Sequence, residues 1–148
     1  MKRQRLQAFR ALPLGERMML IKAAVSFGVI RLLLAGVGFR RVVKLLERRS
    51  IQVDVASLPV ERIVGLVNSA ASAWRARDAC VPRSVTSWML LRAAGHDPAI
   101  RFGVERDSTQ DFAAHAWIEL DGRPIGEPPD ALQRFTPLVG QNTLRPRT

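Results

Sequence analysis

The spacing of apolar positions changes along the chain, and each change marks an element. Over residues 16–35 nearly every helical face is apolar, which predicts a helix closed by Gly36 and Gly38. Phe39, Val42, Val43 and Leu46 then recur at helical spacing, with Arg40, Arg41, Lys44, Glu47 and Arg48 on the other face, an amphipathic helix to about Arg49. Residues 51–55 form a short β-favouring run or connector. Ser57 followed by Pro59 reads as a helix start, and Val60, Ile63, Val64, Val67 and Ala71 carry a helical period to about Arg75. After a polar approach over 73–79, Val85, Trp88, Met89 and Leu91 mark a helix over 82–94. It has proline in its first turn and Gly95 just past its end. Arg92 falls on the Trp88 face, near enough to the helix end for its charge to reach water. Beyond the His96-Asp97-Pro98 turn, residues 99–104, 113–119 and 123–127 read as strands, with a polar loop over 106–111. Pro124 puts the last of them at a sheet edge, and Pro128 and Pro129 end it. Helices followed by a small antiparallel sheet make the fold class α+β.

Composition narrows the picture. At 148 residues, 47% hydrophobic and 24% charged, the chain suits one ordinary globular domain, or a small one with an appendage. Its net charge of +10 belongs entirely to residues 1–50, which hold twelve lysines and arginines against two acidic residues; residues 51–148 are balanced. We therefore divide the chain into a basic helical N-terminal region, 1–50, and a core, 51–148. The basic third reads first as helices packed on the core with arginines facing water. Its other reading is a docking face for an acidic partner, a nucleic acid or an anionic membrane surface. No recognition motif favours nucleic acid. Residues 18–39 are long enough to cross a bilayer. Lys22 and Arg31 lie inside them, however, and a central charge costs roughly 2.5–3.5 kcal/mol on insertion. A membrane span is therefore not expected, nor is a secretory signal, since no small-residue cleavage pattern follows. One cysteine excludes an internal disulfide and a four-cysteine zinc site, and points to a reducing cytoplasm. No metal or other cofactor is expected.

Candidate chemistry centres on that cysteine. Cys80 stands at the N-terminus of the helix over 82–94, where unpaired amides and the positive end of the helix dipole favour a thiolate and can donate to an oxyanion. A lone cysteine is more often a small buried apolar residue than a nucleophile, so the catalytic reading needs a base. His96 lies past the far end of the helix, roughly 20 Å along an axis that rises about 1.5 Å per residue. It reads as a turn residue or helix-end cap. His115, on the second strand, is the better base.

The third member depends on hairpin register. A three-residue loop, Leu120-Asp121-Gly122, pairs Glu119 with Arg123 and sets Glu127 directly across from His115, with Cβ atoms roughly 5 Å apart. A two-residue Asp-Gly loop instead puts Glu127 beside Ala116, on the other face. The first register is expected, because a carboxylate there fixes the histidine's tautomer and stabilises its imidazolium. Asp121 is the fallback, and otherwise reads with Glu119 as solvent-facing. Trp74 and Trp88 read as core packing, and Trp117 as packing beneath the histidine face.

The run from Cys80 to Glu127 resembles the transglutaminase-like cysteine peptidases of lasso-peptide biosynthesis, the leader peptidases found as a fused half or as a separate short chain. The resemblance rests on Cys80 opening a helix, Arg83-Ser84, Gly95, Gly103-Val104, the AHAWIE run from Ala114 to Glu119, Asp121-Gly122 and Glu127. It covers about a third of the chain. Val81 and Ile118 stand where leucine and valine are common, and Glu127 where aspartate is usual. The AHAWIE core is shared with transglutaminase-like proteins generally and speaks to fold more than to substrate. The resemblance implies a nucleophile helix packed on a small antiparallel sheet, with Cys80, His115 and Glu127 as catalytic residues. It implies removal of the leader from a ribosomally made precursor, with a small leader-binding protein presenting that precursor and an ATP-using macrolactam synthetase acting afterwards. The rival readings are another transglutaminase-like acyl transferase or amidase, and a non-catalytic interaction module in which Cys80 is only core.

Overall fold

The computed structural model describes residues 2–48, 58–74, 79–105, 114–128 and 131–138. Among these residues five α-helices precede a small sheet: α1 (Lys2–Ala11), α2 (Leu14–Val37), α3 (Phe39–Arg48), α4 (Val60–Ala73) and α5 (Cys80–Ala93). They are followed by β1 (Ala99–Glu105), β2 (Ala114–Leu120), β3 (Arg123–Ile125), a 3₁₀ turn (Ala131–Arg134) and β4 (Phe135–Pro137). The strands form one antiparallel sheet in the order β3-β2-β1-β4. The α+β expectation is met. The basic start of the chain is helical, within the region expected to be basic and helical. The expected connector over 51–55, the Ser57 start, the Arg75 end and the 106–111 loop lie outside the described residues.

Local chemistry sets the helix ends. Gly38 takes φ +81° and ψ 162°, an extended conformation open to glycine and strained for other residues, and its N–H donates to the Leu34 carbonyl, so α2 ends there and α3 leaves in a new direction. Pro59 precedes α4, and its carbonyl accepts from the N–H groups of Arg62 and Ile63. At the end of α5, Gly95 takes φ +88° and the His96 N–H donates to the Leu91 carbonyl at 3.0 Å. This is the glycine-terminated geometry the sequence predicts, and it makes the backbone of His96 a helix cap.

α5 is the central element. Val85, Trp88, Leu90 and Leu91 are fully buried between α2 and α4 on one side and β1 and β2 on the other. Met19, Ala23 and Ile30 of α2 and Val42 and Val43 of α3 join the same core as Ile63 and Val67 of α4 and Ile100 and Ile118 of the sheet. Phe39 of α3 meets Phe102 of β1 edge to face, 5.2 Å between ring centres. Glu16 of α2 and Arg62 of α4 form an ion pair beside this packing. Trp88 is core as expected, with the Arg92 guanidinium 4.7 Å over its ring. Trp74 departs from expectation: it is 48% exposed, with its ring set against the buried Phe27 and Gly28 of α2, where Gly28 leaves room for it.

The hairpin register is the alternative one. Ile118 pairs with Ile125, Glu119 with Pro124 and Leu120 with Arg123, so the loop is the two residues Asp121-Gly122. Both have positive φ, 52° and 75°. That is the primed turn whose twist matches the flanking strands, and aspartate tolerates the left-handed region well enough to take its first position. β3 also stops at Ile125, two residues earlier than predicted. Gly126, at φ +74°, then turns the chain out of the ladder. It lies hard against α4: a Cβ there would stand 2.5 Å from Val64 Cγ1, and its carbonyl accepts from Asn68 Nδ2 at 3.4 Å. Pro124 and Pro137 sit in the two edge strands, each three residues long.

Candidate active site

Cys80 is the first residue of α5 and is half-buried. The early end of β3 makes space for it. Beyond Ile125 no described strand covers that edge of β2, and the first turn of α5 takes the place. Ser84 Oγ, buried, donates to the Ala116 carbonyl at 3.0 Å, which ties the helix to the strand one residue from His115. The Ala116 N–H reaches the Cys80 sulfur, as does that of Val81.

His115 lies on β2 within hydrogen-bond reach of Cys80. Its Nε2 is 3.1 Å from Glu127 Oε2. That spends Nε2 on the carboxylate and leaves Nδ1 to serve the sulfur. The cross-strand neighbour of His115 is Gly103, where a Cβ would stand 2.9 Å from the Trp117 ring and 3.0 Å from Phe135 Cβ. The missing side chain lets both aromatic rings close on the imidazole: Trp117 stacks at 6.2 Å and 19°, Phe135 at 5.1 Å and 29°. The imidazole is thus held by rings as well as by the carboxylate.

Glu127 reaches His115 by a route the predicted register did not contain. It is not the cross-strand neighbour of His115, because the observed pairing is offset by one residue and β3 has already ended. The turn at Gly126 re-aims the side chain instead. The carboxylate is mostly buried and divided between two partners: Oε2 faces His115, and Oε1 accepts from Arg83 Nη2 at 2.8 Å. Arg83 was part of the sequence pattern but had no role in the reading. Its spacing of three from Cys80 puts the two on neighbouring positions of one helical face, and that was the available signal. Phe135 had none, since a three-residue strand carries too little pattern.

The charges of the pair follow from these contacts. The hydrogen bond with His115 lowers the Cys80 thiol below its ordinary value, against burial, and the Ala116 and Val81 amides act in the same direction. His115 is pushed up to about 9, first by its hydrogen bond with Cys80 and then by Glu127, against burial and the nearby Arg83 charge. Both shifts favour thiolate and imidazolium over thiol and imidazole. The arrangement can therefore present a nucleophilic sulfur, a proton donor beside it and main-chain N–H groups around it.

The remaining candidates lie elsewhere. His96 follows the C-terminal end of α5 and shares a hollow with Asp121, Leu58, Pro59 and Arg123. Asp121 is at the hairpin tip, and the carboxylate bonded to His115 is that of Glu127. Glu119, expected to face solvent, accepts instead from Trp117 Nε1 at 3.1 Å and Arg101 Nε at 2.8 Å. Among the described residues no group of three histidine, cysteine, aspartate or glutamate side chains is placed to hold a metal ion.

A family model described as the transglutaminase-like superfamily matches residues 24–140. No curated protein and no solved structure matches the chain. The family match covers most of the sequence, and its start falls inside α2, whose inner face is built into the common core. The chain belongs to the transglutaminase-like superfamily.

Proposed function

With superfamily membership as the premise, we propose that this chain is a cysteine peptidase with Cys80 as nucleophile, His115 as acid and base, and Glu127 as the group that orients and charges His115. The single observation that carries this is the convergence of Cys80, at the head of α5, on His115, whose Nε2 is in turn 3.1 Å from Glu127 Oε2. The Cys80 thiolate attacks the scissile carbonyl, and main-chain N–H groups at the head of α5 stabilise the oxyanion. The His115 imidazolium gives its proton to the leaving amine as the C–N bond breaks. The neutral ring then takes a proton from water, which attacks the thioester, and the sulfur leaves as thiolate with the proton back on His115.

The substrate we propose is a ribosomally made lasso-peptide precursor, cut to release its leader and free the amine of the core peptide. The support is the resemblance of the Cys80–Glu127 run to the leader peptidases of that chemistry, including the Arg83-Ser84 pair. A leader-binding protein presents the precursor, and an ATP-dependent macrolactam synthetase uses the product. The reaction is placed in the cytoplasm, where a lone thiol stays reduced.

The test is mass spectrometry of precursor incubated with this chain and its leader-binding protein, both taken from the neighbouring genes. Two fragments whose masses sum to precursor plus water are expected. A crosslinked product or loss of ammonia establishes a different acyl transfer on the same fold. Retained cleavage in Cys80→Ala rejects the mechanism.

A further inference from the structure

α2 is apolar on two faces, and the fold uses only one. Met19, Ala23, Phe27 and Ile30 point into the core and are buried. On the opposite side Leu14, Met18, Ile21, Val25, Val29 and Leu32 follow one another at spacings of three and four, and each is 47% to 75% exposed. Side chains at that spacing form one continuous stripe, about 1.5 Å per residue along the axis. Single exposed apolar residues are ordinary on a soluble surface, but an unbroken row along a helix of 24 residues is not.

The surroundings of the stripe indicate what covers it. Between Glu16 and Glu47 there is no acidic residue, whereas Arg17, Lys22, Arg31, Arg40, Arg41 and Lys44 lie in that interval. The stripe is bracketed by cationic elements. α1, with Arg10 exposed, joins its Leu14 end, where the Arg17 guanidinium is bonded to the Arg10 and Leu12 carbonyls. α3, with Arg40, Arg41 and Lys44 exposed, leaves from its other end. Beside its middle lies Trp74, half out of the protein over Gly28, which is three residues from Val25 and four from Leu32. An apolar ridge with cations at both ends and an indole at its flank has the chemistry of a surface that meets acyl chains, anionic headgroups and the boundary between them. A nucleic acid matches the cations and has no use for the ridge.

We infer that the outward face of α2 is a docking surface for an anionic lipid bilayer, with the helix lying in the plane of the interface. Its other face builds the core, so the folded chain cannot thread the helix across. The site between α5 and β2 is made by other elements, so this inference is independent of the proposed reaction.

The test is flotation of the full chain with vesicles of phosphatidylcholine alone and of phosphatidylcholine mixed with phosphatidylglycerol. The chain is expected to float with the mixed vesicles only, less so as salt is raised, with a blue shift of tryptophan emission that Trp74→Phe removes. The double variant Val25→Glu, Leu32→Glu, checked for folding by circular dichroism, should lose about tenfold or more of its partitioning. The uncharged pair Val25→Ser, Leu32→Ser should lose binding in the same direction. Three results overturn the inference. One is no flotation with either vesicle. Another is flotation unchanged in both double variants, which is adsorption by the cations alone. The third is a dimer in sedimentation, dissociated by the double variants, from a chain that does not float.

Discussion

Cys80 and His115 exchange one proton, and each sets the charge of the other. Cleavage should be abolished in Cys80→Ala and in His115→Ala, while Glu127→Gln lowers kcat on the order of 10- to 10³-fold and His96→Ala leaves it near wild type. The His115 value of about 9 predicts that kcat/KM falls as pH rises through about 9, when the ring loses the proton it must give the leaving amine. A fall centred near the ordinary 6.5 contradicts the ion pair. Because the Cys80 hydrogen bond is the leading cause, the His115 titration midpoint followed by NMR should drop in Cys80→Ala. For stability the raised His115 value contributes fully below 6.5 and is lost as pH rises through about 9. The depressed Cys80 value contributes above its ordinary 9.0 and is lost as pH falls. The two groups therefore act in opposite directions, and the Cys80 contribution offsets part of the loss from His115 as pH rises towards 9.0, which thermal melts across pH in wild type and Cys80→Ala would separate. Glu127 spans two partners, and the extra methylene relative to aspartate gives it that reach. Glu127→Asp should therefore lose one contact, and kcat should recover only in part relative to Glu127→Gln.

At the scale of elements, the position of Glu127 is a product of where β3 ends. Gly126→Ala is expected to lower both the melting temperature and kcat. Its φ of +74° penalises any side chain by about 1–2 kcal/mol, and the added methyl meets Val64 of α4, so the segment carrying Glu127 must shift. Thermal unfolding by circular dichroism and the cleavage rate check it. Ser84→Ala, which removes the buried bond to Ala116, should cost about 1 kcal/mol in the same unfolding measurement. These elements also show what the sequence could convey. The helix carrying Cys80 and the strand carrying His115 are legible because proline, glycine and apolar period agree over a dozen residues. The hairpin register was not, because Leu120-Asp121-Gly122 satisfies two turn types and the strand beyond it is only three residues long. Arg83 was visible as a residue and silent as a partner, since its contact with Glu127 spans 44 positions of chain.

At the scale of the molecule, the N-terminal helices are structural as well as charged. Phe27, fully buried on the inner face of α2, should cost about 3–5 kcal/mol when changed to alanine, whereas Val25→Ala on the outer face should stay within about 0.5 kcal/mol, both read from chemical denaturation. Composition pointed to a basic third beside a neutral core, and charge is a poor guide to packing: the same helix carries arginine to solvent and methionine and phenylalanine to the interior. The sheet has a consequence of its own. Both of its borders are three residues long, and each holds a proline, Pro124 on one side and Pro137 on the other. A proline offers no amide hydrogen to a neighbour, so a stray β-segment finds short and broken templates at either margin. Lateral growth into fibrils is discouraged by the same two borders that let so small a sheet stand beside a single central helix.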